Sequence, residues 1–141
     1  MTANGQHIVR LEFTSAFEML DFVQVVSDHV AQTLGLDDDT QHYVGVAIRE
    51  CVINAIKHGN RSDSHKHVFV EFSTVEGVLT VRVRDQGEGF DPDTLADPLA
   101  PENLLKASGR GIFLIRSFMD DVQLRNAPEG GMEVRMIKRL P

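Results

Sequence analysis

Apolar and polar residues alternate through HIVRLEF (7–13), which predicts a strand. Ser15 and Glu18 then form an S-x-x-E capping box, so a helix is expected over 16–34. Leu20, Val23, Val26 (or Ser27) and Val30 supply its apolar stripe, and Gly35 its stop. A second helix is expected over 39–58. Val44, Ala47, Ile48, Cys51, Val52 and Ala55 mark its buried side, and Gly59 ends it. The chain turns through NRSDSHK, after which HVFVEFST (67–74) and VLTVRVR (78–84) alternate on either side of a turn at Gly77 and read as a hairpin. A Gly-rich loop, DQGEGFDP, leads into 91–107, where Pro92, Pro98 and Pro101 interrupt any period and a loop is expected. SGRG (108–111) opens an amphipathic helix, IFLIRSFMDDV, with Ile112, Leu114, Ile115, Phe118 and Met119 as its apolar residues. VQLRN and MEVRMIKRL, on either side of APEGG, read as a last hairpin.

The order is β, α, α, β, β, loop, α, β, β. Strands in sequential hairpins with few helices predict an α+β fold, with helices layered on one face of a mostly antiparallel sheet. The 141 residues suit one domain spanning 1–141. At 42% hydrophobic and 25% charged, the composition is that of an ordinary globular chain. No apolar run is long enough to span a bilayer, and MTANGQHIVR has no hydrophobic stretch behind a basic start, so a cytoplasmic location is expected. Cys51, the single cysteine, excludes an internal disulfide and reads as a small buried apolar residue rather than a reactive thiol. A net charge of −7, with no Lys/Arg cluster longer than two, leaves no basic footprint for nucleic acid. The run Asp37-Asp38-Asp39 reads as a helix start rather than a metal site.

Three segments carry candidate chemistry. In ECVINAIKHGN (50–60), Glu50, Asn54, Lys57 and His58 stand at helical offsets that share one face. Asn54 offers an amide oxygen of the kind Mg²⁺ accepts beside phosphate and water. Glu50 can orient or deprotonate a nucleophile, and Lys57 can meet phosphate charge. The plain alternative is a solvated helix edge. In DQGEGF, Asp85 presents a carboxylate at a strand end, fit to accept from an exocyclic amine such as adenine N6. Gly87 and Gly89 let a ligand approach the backbone closely, or simply make a turn. In SGRG, bare N–H groups at a helix start favour an anion, Gly109 and Gly111 let phosphate come close, and Arg110 adds charge. The alternative there is a helix cap of small residues. Neither a Walker A loop nor a Rossmann fingerprint is present.

Taken in order, ExxxNAxxHG, DxGxGF and SGRGIFLI resemble the boxes of the GHKL ATP-binding superfamily, shared by histidine kinases, gyrase-type topoisomerases, Hsp90 chaperones and MutL repair proteins. Within it, ECVINAIKHGN and GRGIFLIRSFMDDV are most similar to bacterial anti-sigma factor serine kinases. The resemblance covers nearly the whole chain. It implies a two-layer α/β sandwich of Bergerat type, with ATP held between the helices and a lid. It also implies that Asn54 is the Mg²⁺ ligand, Glu50 the general base and Asp85 the adenine reader in a loop with Gly87 and Gly89. Gly109 and Gly111 match the phosphate-side glycines. Lys57 sits where histidine kinases often carry a phosphate-contacting base, and His58 belongs to the motif with no chemistry assigned. Proteins of this kind bind a sigma factor and phosphorylate a serine on a small STAS-fold antagonist. They are usually homodimers, and for this chain a homodimer with no direct contact to nucleic acid or membrane is expected.

The chain departs from other branches of the superfamily. The short 91–107 lid is unlike the long lids of gyrase and Hsp90. Ser27-Asp28-His29 superficially resembles a phosphoacceptor box, but lacks the usual proline and a dimerisation hairpin. The rival to a kinase is a binding module that holds ATP as a structural effector and works through partner binding alone. A third reading is a regulator in another phosphorelay, with a partner that is neither sigma nor STAS.

Overall fold

The computed structural model describes residues 6–88 and 110–140. Its strands are β1 (His7–Thr14), β2 (His67–Val75), β3 (Val78–Arg84), β4 (Asp121–Asn126) and β5 (Met132–Arg139). They form one sheet in the order β1-β2-β3-β5-β4, with every pairing antiparallel. The helices are α1 (Leu20–Thr33), α2 (Asp38–Asn54) and α3 (Arg110–Phe118).

Alternation sorts the sheet into two faces. Val68, Val70 and Phe72 on β2, Leu79, Val81 and Val83 on β3 and Met136 on β5 are each no more than 1% exposed. Val23 and Ala31 of α1, Val44, Ile48 and Val52 of α2, and Ile115 of α3 join them in one core. Burying a large aliphatic or Phe side chain stabilises by roughly 1.5–3 kcal/mol, so a core of this size holds the layers together without a cross-link. The opposite face is polar: Arg10, Glu71, Arg82 and Arg135 stand in register across four strands.

The acidic run is a helix start. Asp37 is the N-cap of α2, its side chain accepting the Thr40 N–H at 2.7 Å, and Asp38 and Asp39 fill the first turn. That bond holds the Asp37 carboxyl below the usual carboxylate value. A lowered folded-state pKa stabilises above the unfolded value and is lost as pH falls through the folded one. Thermal melts of wild type and Asp37→Ala should therefore differ most near neutral pH and converge as the pH drops below the carboxylate range.

Three boundaries differ from expectation. The Ser15 capping box does not form. Ser15 Oγ instead donates to the Lys66 carbonyl and accepts from Asn60 Nδ2, and the chain enters α1 through a 3₁₀ turn, Phe17–Met19. In α1 it is Ser27, with Leu20, Val23 and Ala31, that is buried, while Val26 and Val30 are only partly so. The second helix does not run as one α-helix to His58: it becomes a π-helical turn over Ala55–Gly59. The third helix stops at Phe118 rather than running into the Asp120-Asp121 pair. The Phe118 carbonyl accepts from Lys138 Nζ at 3.2 Å, and the Asp120 N–H already bonds Ile137 at 2.8 Å, as a neighbour of β4.

Candidate functional site

The end of β3 delivers Asp85 into a cage. Its N–H extends the sheet ladder to the Met132 carbonyl at 3.1 Å. Its side chain is 2% exposed, and Oδ1 accepts the N–H groups of Gly87 at 2.9 Å and Met132 at 3.0 Å. A buried carboxylate is tolerated only with such donors, each charge-assisted bond contributing about 1.5–3 kcal/mol. Three glycines make the room. A Cβ on Gly59 would lie 2.0 Å from Asp85 Oδ2, and one on Gly87 would lie 2.1 Å from the Gly59 carbonyl oxygen. One on Gly131 would lie 2.1 Å from the Asp85 carbonyl oxygen, and Gly131 also holds φ at +82°. Gly59 was expected only as a helix stop and Gly131 only as part of a hairpin turn. Both are walls around the same carboxylate.

The cage abuts α2. Cys51 is 1% exposed, and burial, with a smaller push from the Asp85 charge, raises its thiol pKa far above the ordinary value. It is a packing residue. Glu50 and Asn54 lie half-buried one turn apart on α2, where the shared face holds. Lys57 and His58 are exposed and lie in the π-helical turn, which rotates less per residue, so they do not continue that helical phase. Single π turns are frequent at functional sites.

Helix α3 packs on α2. Phe118, its last residue, stacks on Tyr43 near the start of α2, with ring centroids 4.7 Å apart. The C-terminal end of α2 reaches Asp85 through Gly59, while α3 ends at the far edge of the sheet beside Ile137. The two helices therefore run antiparallel, and the first turn of α3, which contains Arg110 and Gly111, points toward the Asp85 end. Gly89 and Gly109 lie outside the described residues, as does the loop expected over 91–107.

A cavity of about 660 Å³ lies elsewhere, on the polar face of the sheet, and none of the predicted site residues lines it. Its charged groups pair with one another: Arg10 with Glu71 at 2.8 Å and Arg84 with Glu129 at 3.3 Å, while the Arg84 guanidinium lies 3.9 Å from the Phe69 ring centre. The glycine cage, with its buried carboxylate, is the better candidate. Among the described residues no group of three or more His, Cys, Asp or Glu can hold a metal. Asn54, half-buried on α2, offers one amide oxygen, which is compatible with an ion that takes one protein oxygen and completes its shell from phosphate and water, as Mg²⁺ does. Among the same residues, no helix is long and apolar enough to cross a membrane.

Sheet order, one-sided helices and a caged strand-end carboxylate define a two-layer α+β sandwich with its site beside α2. Residues 13–138 match the family described as histidine kinase-like ATPase domain, and the chain belongs to that family, whose members use ATP. It is 33% identical over 134 residues to the anti-sigma F factor of Oceanobacillus iheyensis, covering 92% of this chain and 90% of that one. It is 27% identical over 143 residues to the serine-protein kinase RsbW of Bacillus subtilis, covering 97% and 88% of the two chains. Among solved structures, the RsbU and RsbW domains of Rv1364c from Mycobacterium tuberculosis superpose with a TM-score of 0.68 at 17% identity, covering 95% of this chain and 32% of that one. This last likeness concerns the fold.

Proposed function

We propose that the chain is an anti-sigma factor and a protein-serine kinase that uses Mg-ATP to phosphorylate a STAS-type antagonist. The observation that carries this reading is the Asp85 carboxylate caged by Gly59, Gly87 and Gly131, with Gly59 in the π turn that continues the helix of Glu50 and Asn54. Gly87 and Met132 hold Oδ1, and Oδ2 is the oxygen we assign to the adenine exocyclic amine. Asn54 would hold Mg²⁺, which when bound would neutralise charge on the phosphates. Backbone N–H groups at the start of α3 hold phosphate, joined by Gly109, Arg110 and Gly111; Lys57 adds a cation. Glu50 takes the proton of the substrate serine as its oxygen forms a bond to the γ-phosphorus in line and the bond to ADP breaks. The relatives' names, anti-sigma F factor and serine-protein kinase, support the same assignment. The reading includes a homodimer working in the cytoplasm, with a sigma factor as its second partner.

The test is transfer from γ-labelled ATP with Mg²⁺ into a lysate of the source cell. The expected result is phosphoserine on one small protein of STAS type. ATP retained with the antagonist present and unlabelled would favour the binding module. A chain that retains no ATP would overturn the assignment of all three boxes.

A further inference from the structure

Asn60 follows the helix-end motif directly and is 0% exposed. Its amide is used on both sides. Nδ2 donates to Ser15 Oγ at 2.6 Å and to the His67 carbonyl at 2.9 Å, and Oδ1 accepts the Gln86 N–H at 2.7 Å. The Gln86 side chain closes a ring, its Oε1 accepting the His67 N–H at 2.6 Å. Three segments distant in sequence meet at this one amide: the end of β1, the start of β2 and the loop after β3. The loop is the important one. The Gln86 N–H belongs to the peptide plane immediately after Asp85, and the next N–H, that of Gly87, lands on Asp85 Oδ1. Rotation of that plane would carry the Gly87 N–H away from the carboxylate and leave Met132 alone to hold Oδ1, so that the carboxylate is less tightly aimed.

We propose that Asn60 is a positioning residue for base recognition: by holding the Asp85–Gln86 peptide plane it sets the direction in which Asp85 Oδ2 faces the base. This rests on the assignment of Asp85 as the adenine reader. Asn60 acts through Asp85, and its own bonds to Ser15, His67 and Gln86 occupy its amide. A residue that only held the fold together would weaken binding of every nucleotide alike. A residue that aims the carboxylate affects a base with an amine at position 6 and spares one with an oxygen there, because only the amine donates to Oδ2.

The experiment measures ATP and inosine triphosphate affinities for wild type, Asn60→Ala and Ser15→Ala. Wild type is expected to prefer ATP. In Asn60→Ala the preference should fall by about tenfold, mostly through weaker ATP binding, with inosine triphosphate affinity little changed. Ser15→Ala removes one acceptor of the Asn60 amide and should shift the preference in the same direction by a smaller factor. It also decides the matter if Asn60→Ala does not fold. A wild-type preference that survives in the folded variants overturns the role of Asn60. A wild type with no preference overturns the Asp85 assignment itself.

Discussion

Glu50→Ala abolishes phosphate transfer to protein serine and leaves ATP retention unchanged. Glu50 is half-buried one turn before Asn54 on α2, whereas it is Gly87 and Met132 that hold the carboxylate of Asp85, the proposed reader of the base. In the proposed mechanism binding affinity comes from the cage, the metal and the N–H groups at the start of α3, which the substitution leaves in place. A positioned base contributes about 10²–10⁴ in rate, so the transfer rate should drop by that factor while the affinity stays. Glu50→Gln sharpens the test. It keeps size and hydrogen bonding, removes only the ability to take a proton, and should be as inactive as the alanine variant. Filter binding and γ-label transfer on the same preparations separate the two quantities. Loss of retention alongside transfer would make Glu50 a structural residue.

The second large effect is expected from a single methyl group. In Gly59→Ala the new carbon would stand 2.0 Å from Asp85 Oδ2 and 2.4 Å from its Cγ, closer than any non-bonded pair tolerates. The carboxylate cannot swing aside freely, because Gly87 and Met132 hold its other oxygen. Either the π turn opens or Asp85 leaves its place, and both spoil base recognition. ATP affinity should fall by about a hundredfold or more, since a site built to bond a polar group loses most when the partner is misplaced. The fold should persist, because alanine is about 1 kcal/mol better than glycine in a helical turn and offsets part of the strain. Far-UV circular dichroism together with ATP titration would show a folded protein that does not bind. Undiminished ATP affinity in Gly59→Ala would mean that Asp85 does not read the base.

Strands were legible because a half-buried sheet writes a two-residue period into the chain; β2 and β3 lie where HVFVEFST and VLTVRVR predicted them. The start of α2 was legible too, since Asp37 and Thr40 are three residues apart and their bond is local. Ser15 misled because its hydroxyl has two possible employments, a nearby helix N–H or the distant Lys66 and Asn60, and only tertiary structure chooses between them. The π turn was invisible because the extra residue falls within a single turn, too short for any period to show. In the site, Glu50, Asn54 and Asp85 could be picked out because each stands in a contiguous box. The cage could not, since Gly59, Gly87 and Gly131 come from three segments and meet only around a folded Asp85. Asn60 sits next to a recognisable motif, yet its meaning depends on Gln86, which the chain reaches only after a whole hairpin.

The sheet order also bears on how the molecule is made. Among the described residues β1 is an edge strand whose sole strand partner is β2, with His7 opposite Thr74 and Thr14 opposite His67. A ribosome delivers β1 first and its partner only after both α1 and α2 have been synthesised, so the nascent strand waits with its backbone groups unpaired. Such an edge is open to pairing with a neighbouring chain. Arg10 and Glu12, alternating along β1, put charge where a hydrophobic strand would invite that misassociation. β1 therefore enters the sheet only once β2 has been made, and its charged residues guard it during the interval.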